Sequence, residues 1–428
     1  MTRPHELEHE TAADAPHPAR GDGGGAGAAT EETAAFLLDL AGALHRFAVP
    51  SDVVEDLIER AARRLGVHAN VMVLQGYLAL DVAHVDARRV RLRRVSFDTH
   101  WRLNRMADTF YVAKALGDGQ MGMAQARVKL DAVLAARPLY GRPLVYLGYT
   151  VYGAAVAARV GGRAQEMIAG AIIGLAAGLI HFDTLQYPRV DLQKSAVAGA
   201  VGGLLVLVLA LIMPGLDLAK ALFGGVSLLV PAMVVVIGTH ELANEALESG
   251  VTRLAYGLLR FVMLGVGIAA ALRVWNLFAV VPSQTQDAGL PAPAVLAILV
   301  AGGVALVPCL QVPRRDAVFV VVAVLVAHGS MVLSKLTFGE HGAPLACAFM
   351  LGAFAQLYGH IRDHFVGTVM VPGLLQIAPG FLGTTAVLHL LGGAGQSDTN
   401  FFSLMLVAMQ LVVGLLMAHV VFGRKRVA

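Results

Sequence analysis

The chain has 428 residues, 57% of them hydrophobic and 15% charged, with a mean hydropathy of +0.66. Soluble domains carry about 25% charged residues, so a wholly soluble protein is excluded. A net charge of +3 would suit nucleic acid, but in a membrane-like sequence basic residues set topology instead, and no nucleic-acid partner is expected. The two cysteines, Cys309 and Cys347, lie in apolar segments. That excludes a disulfide framework and a cysteine-built zinc site, and no cofactor is expected.

Charge is placed unevenly. Residues 1–142 hold 18 Lys+Arg and 18 Asp+Glu, and the remaining residues hold 15 and 12. The first third has soluble composition and the rest has membrane composition, so at least two domains follow. Residues 1–30, with Gly23-Gly24-Gly25, three prolines and no apolar run, read as a disordered tail. They lack the h-region of a signal peptide, so the N-terminus is expected in the cytoplasm.

Residues 31–142 read as a cytosolic α+β domain. Phe36, Leu37, Leu40, Leu44 and Phe47 recur at helical spacing. Pro50 breaks the chain and Ser51 opens a second helix over 53–65, closed by Gly66. Segments 71–74, 78–82 and 90–95 predict a three-stranded meander. Helices over 99–117 and 122–136 follow, giving the order α-α-β-β-β-α-α. Arg88, Arg89, Arg91, Arg93 and Arg94 cluster on the third strand, either as a solvated face or as a contact for anionic headgroups. His45, His68, His84 and His100 show no metal-ligand spacing.

The remainder predicts an α-helical polytopic membrane protein. A bilayer core needs about 20 apolar residues per helix. Ten spans meet this: 143–160, 164–182, 195–213, 217–239, 254–281, 293–311, 317–336, 342–360, 366–392 and 402–423. They fall into two five-helix halves, 143–281 and 293–423. With the N-terminus inside, the cytoplasmic connections hold nine basic residues and the outer ones four, Arg159, Arg163, Lys220 and Lys335. This predicts a multi-pass protein of a bacterial plasma membrane with both termini cytoplasmic; Arg159 and Arg163 run against the rule. An odd number of spans per half would invert the halves and place helix breaks at matching points, Val230-Pro231 and Val371-Pro372-Gly373.

Three stretches carry a family likeness. The first is Ala48-Val49-Pro50-Ser51-Asp52-Val53-Val54-Glu55 through Gly66-Val67, followed by the meander. The second runs from Leu229-Val230-Pro231 through Asn244 to Gly250-Val251-Thr252-Arg253-Leu254-Ala255. The third is Val371-Pro372-Gly373-Leu374-Leu375-Gln376-Ile377-Ala378-Pro379-Gly380. In this order they resemble the threonine/serine exporter (ThrE) family, the fused form of a two-chain succinate exporter. The chain departs from the family pattern at Phe47-Ala48-Val49, where Gly-Ala-Glu is usual, and at Ala232, where glycine follows Val-Pro. The resemblance implies a secondary transporter that exports small amino acids such as threonine or serine on the proton gradient, with succinate or another small dicarboxylate as the alternative. A third reading, of another class, is a membrane sensor or scaffold. Self-association of the membrane part is compatible with all three.

The candidate substrate-binding residues are Arg260, Pro231, Asn244, Pro372, Gly373, Gln376, Pro379 and Gly380. Arg260 and Arg273 lie within the fifth span, where an arginine needs protein or water around it. Snorkelling suits Arg273; a substrate carboxylate suits Arg260. The prolines remove backbone donors within spans, and the freed carbonyls must face protein or a watery cavity. No carboxylate lies at the centre of a span, so the candidates for proton coupling are His328, His389 and His181 beside Asp183. His240-Glu241-Leu242-Ala243-Asn244 brushes the zinc-protease pattern His-Glu-x-x-His, but Asn stands where the second ligand belongs, so neither a metal site nor an enzyme is expected.

Overall fold

The computed structural model describes residues 24–74, 76–84, 87–95, 102–183, 191–280, 289–362, 364–377 and 401–423. The N-terminal unit has helices α1 (Gly24–Arg46) and α2 (Ser51–Arg64), strands β1 (His68–Leu74), β2 (Tyr77–His84) and β3 (Ala87–Arg94), then α3 (Leu103–Gly117) and α4 (Met123–Ala135). The strands form one antiparallel sheet in the order β1-β2-β3. α1 begins at Gly24, six residues before the expected end of the tail.

The pairing Val71↔Leu80 and Val73↔Leu78 puts four apolar side chains on one face of the sheet. They are buried with Leu37, Leu40 and Leu44 of α1 and Leu57, Ile58 and Ala61 of α2. On β3 that same face carries Arg89, Arg91 and Arg93, opposite Val82, Leu80 and Leu78. Four of the five clustered arginines are ion-paired within the chain. Arg89 and Arg91 pair with Glu31 and Arg93 with Asp39, all from α1, while Arg88 pairs with Asp81. The arginines extend the core-side face of β3 where it leaves the apolar centre. Val90 and Leu92 point the other way and are exposed.

The rest is a helical bundle: α5 (Arg142–Arg159), α6 (Ala164–Asp183), α7 (Asp191–Ile212), α8 (Leu218–Val226), α9 (Ala232–Ala243), α10 (Leu247–Asn276), α11 (Ala292–Cys309), α12 (Ala317–Arg362), α13 (Gly367–Ile377) and α14 (Phe401–Phe422). Six helices, α6, α7, α10, α11, α12 and α14, are long and apolar enough to cross a membrane by length and composition. The expected ten differ from this for three reasons. Three tyrosines and two terminal arginines dilute α5. The fourth span is split into α8 and α9, and the described part of the ninth is the short α13. α12 carries two expected spans, divided at Gly339, whose φ of 70° and ψ of 179° interrupt the helix.

The halves pack alike. In the first, α7 and α10 meet through Gly199, Gly203 and Gly267, where an added Cβ would collide with the facing helix. In the second, the later part of α12 meets α14 through Gly352 and Gly414 in the same way. Small residues let backbones approach closely, the usual contact between helices in lipid.

The N-terminal unit sits on one end of the bundle. The Leu103 and Asn104 amides donate to the Leu310 and Gln311 carbonyls, Phe110 stacks on Phe365 at 4.6 Å, and α2 meets the turn between α9 and α10. Arg163, Glu166 and Asp217 gather at the other end. There the buried Glu166 carboxylate accepts the amide hydrogens of Arg163 and Asp217.

Six helices end alike, with a residue at positive φ and two tightened backbone bonds, as after α2, where Gly66 donates to the Arg63 carbonyl and Val67 to that of Ala62. Gly66, Gly119 and Gly161 take this position after α2, α3 and α5. Ala48, Glu245 and Gln311 take it after α1, α9 and α11, and all three lie where the N-terminal unit meets the bundle.

Candidate functional site

Two side chains meet about half-way through the bundle, and a histidine lies at a similar height. Tyr152 lies ten residues into α5, Gln376 nine into α13 and His328 eleven into α12, counting from the end that the N-terminal unit covers. At a rise of ~1.5 Å per residue each is about 15 Å from that end, half the thickness of a ~30 Å hydrocarbon core. Gln376 donates through Nε2 to the Tyr152 hydroxyl at 3.2 Å. The two are 3% and 2% exposed, and Gln376 Oε1 is buried with no hydrogen-bond partner among the described residues. Arg159, two turns beyond Tyr152 on α5, lies in electrostatic reach of both Tyr152 and His328. Its Nε is also buried without a partner among the described residues.

Helix ends surround this cluster. α8 stops at Val226, and α9 starts at Ala232 after a turn in which the Ser227 hydroxyl donates to the Gly224 carbonyl. Pro231 stands just before α9, where its missing donor is not needed. The last turn of α8 rests on α5 beside Tyr152: a Cβ on Gly224 would lie 2.7 Å from the Gly153 carbonyl oxygen. α13 runs unbroken through Pro372 and Gly373, so the doublet there does not interrupt the helix as expected. Gly373 instead lets α13 lie directly against Leu351 of α12. Pro379, Gly380 and His389 lie outside the described residues.

The other expected residues are elsewhere. Arg260 is 7% exposed, donates to the Ser195 hydroxyl at 3.4 Å and faces the Tyr256 ring at 5.9 Å. The His181 ring stands against Tyr149 and Phe182; the Asp183 side chain is outside the described set. Tyr152 and Arg159 were missed in the sequence. Tyr152 reads there as one more apolar position. Arg159 reads as a connection residue because it ends its span, yet helical side chains lean toward the N-terminus, which carries its guanidinium back into the bundle.

Asn244 belongs to a second cluster, at the junction. The Glu241 carboxylate is fully buried at the C-terminal end of α9. Its Oε1 accepts from the Ser51 amide at 3.0 Å and the Ser51 hydroxyl at 2.8 Å. Its Oε2 accepts from Arg253 Nε at 2.9 Å, and Arg253 is equally buried. Asn244 Nδ2 donates to Asp52 at 3.1 Å and meets His240 Nε2 at 2.9 Å. The carboxylate thus faces the positive end of α2 and a guanidinium together. In the His-Glu-x-x-Asn run, Glu241 is an anchor for α2. Nearby His45 is buried, and burial, reinforced by the Arg253 charge, pushes its pKa down to about 4. Across the same junction burial raises the carboxyl pKa of Asp108.

The family model described as "Putative threonine/serine exporter" matches residues 35–275. Among curated proteins, "Pheromone-regulated membrane protein 10" of Candida albicans (strain WO-1) is 24% identical over 432 residues, covering 91% of this chain and 38% of that protein. The protein of the same name from Eremothecium gossypii is 21% identical over 378 residues, covering 85% of this chain and 50% of its own length. The chain therefore spans half or less of these relatives. No solved structure matches it. The match takes in α2, the sheet, the Glu241–Arg253 junction and Arg260, over more than half of the chain: this membrane protein belongs to the threonine/serine exporter (ThrE) family.

Proposed function

We propose that the protein is a secondary active transporter that exports small amino acids such as threonine and serine across a bacterial plasma membrane, driven by the proton gradient. In this reading the N-terminal unit and both termini are cytoplasmic, and the substrate passes through the mid-depth cluster. The observation that carries it is the Gln376–Tyr152 pair, a buried polar contact next to the α8–α9 break, with an acceptor oxygen left open. Polar groups at membrane depth are costly, and transporters place them where substrate or ions pass. In this reading His328, at a similar height on α12, is the candidate for proton coupling. Family membership supports the transport class.

The test is efflux from proteoliposomes holding the full-length protein, with labelled threonine, serine or succinate inside and an imposed pH gradient. Threonine and serine should leave faster than succinate, and the gradient should drive them. Gln376→Ala should abolish most of that flux at equal incorporation. Flux of succinate alone would favour the dicarboxylate reading; no flux of any of the three would leave the sensor reading.

A further inference from the structure

A second buried carboxylate lies at the end of the bundle that the N-terminal unit covers. Asp316 closes the short turn Arg314–Asp316 ahead of α12 and is 2% exposed. α12 folds back at Gly339, which returns its last turns to its first: the Phe319 and Tyr358 rings meet at 5.1 Å. His364 follows those last turns. Its Nδ1 lies 3.2 Å from Asp316 Oδ1 and 3.3 Å from the Tyr358 hydroxyl, and its ring stays partly open to solvent. His240 with Asp52, another such pair, is wider at 3.6 Å, and both its partners are partly exposed.

The neighbours leave the histidine as the group that can change charge. Among the described residues they are Tyr358, Arg315 at 3.6 Å from Asp316, Arg362 over the Phe319 ring, and Asp108 of α3 in electrostatic reach of Arg315. Of these residue types only histidine ordinarily titrates near neutral pH. A hydrogen on Nδ1, shared with the carboxylate, leaves Nε2 as the basic nitrogen. A proton taken up there makes an imidazolium and turns the pair from negative to neutral. The pair also ties two helices. Asp316 stands twelve residues before His328 of α12, and His364 twelve before Gln376 of α13. Phe365, next to His364, is the residue stacked on Phe110 of the N-terminal unit.

We propose that Asp316 and His364 form the site where the transporter exchanges its proton on the side of the N-terminal unit, and that this proton sets how firmly α13 is held. This rests on the transport reading above. With the proton on Nε2, an imidazolium–carboxylate ion pair fastens the start of α13 to the start of α12. As substrate binds, the proton leaves Nε2 for water. A single hydrogen bond from a neutral ring then remains, and α13 can shift with Gln376. Proton and substrate thus oppose each other, and the opposition is reciprocal.

The experiment measures threonine binding to the purified full-length protein in detergent, from about pH 5.5 to about pH 8.5, the range in which histidine titrates. In wild type Kd should fall as pH rises, by up to about tenfold per unit, the limit for one proton. His364→Gln should hold Kd within about twofold across the range, because no group there changes charge. Asp316→Asn should move the fall to lower pH, since the imidazolium loses its carboxylate. One readout needs no variant: threonine added to wild type in weak buffer should acidify the solution.

A fall in Kd that survives His364→Gln would overturn the assignment. So would a fall that Asp316→Asn leaves at its wild-type pH, or wild type that binds threonine without releasing a proton. Wild type that binds neither threonine nor serine at any pH would overturn the transport reading first, and this assignment with it.

Discussion

The junction and the mid-depth cluster are both buried and polar, but they differ in how fully the chain holds the central side chain. At the junction Glu241 uses both oxygens on groups of the chain itself, from α2 and α10. At mid-depth the Gln376 carbonyl oxygen meets nothing in the described chain, and neither does Arg159 Nε two turns beyond. Buried polar groups are nearly always paired. Glu241, held on both oxygens, therefore reads as architecture, although Asp52 Oδ1 beside it has no hydrogen-bond partner among the described residues, and the open Gln376 Oε1 at mid-depth reads as a place where something else binds. The contrast turns a list of polar residues into two roles that separate in experiment, stability against transport.

The contrast breaks most visibly at Glu241. Glu241→Ala removes the carboxylate that holds both Arg253 and the start of α2 and should cost about 3–5 kcal/mol, read as a loss of thermal stability of the purified protein. Mid-depth variants should leave that stability nearly unchanged. Acid gives the next largest effect. The folded state holds His45 neutral down to about pH 4, while the unfolded chain takes up a proton near 6.5. Stability should therefore be complete above pH 6.5 and fall by about 3 kcal/mol as pH drops to about 4. His45→Leu should flatten that slope; an unchanged slope would assign it to other groups.

Ser51→Ala removes the hydroxyl but not the amide from Glu241, and should cost about 1.5 kcal/mol. Tyr152→Phe should shift stability by about 1 kcal/mol or less, yet raise the KM for efflux severalfold by freeing the Gln376 side chain. A Tyr152→Phe protein as unstable as Glu241→Ala would erase the distinction between the clusters. The smallest effect is a gain. Ala48 holds a φ of 66°, and Ala48→Gly should stabilise by up to about 1 kcal/mol.

Much of the fold is legible in the sequence because it rests on local signals. Pro50 with Ser51, Gly66, and the alternation of β1 and β2 place the N-terminal elements near their observed ends. Apolar length finds the long helices, but not the kink at Gly339 or the unbroken path through Pro372, because a proline or glycine in a helix is decided by its neighbours. The site is less legible. Gln376 stands out as a polar residue in an apolar span; Tyr152 and Arg159 gain meaning only from helices more than 150 residues away. The ion pairs of the β3 arginines are hidden for the same reason, since Glu31 and Asp39 come from the start of the chain.

The contact between Ser51 and Glu241 joins residues 190 positions apart. At a synthesis rate of about 5–20 residues per second, α2 leaves the ribosome roughly 10–40 s before its carboxylate partner exists. The contact can close only after α9 has been made and has packed with its Glu241 end toward the N-terminal unit. A helix packed the other way round would carry the carboxylate to the far end of α9, and Ser51 would find nothing. The junction thus works as a check on assembly, closing only around a chain threaded in the correct sense.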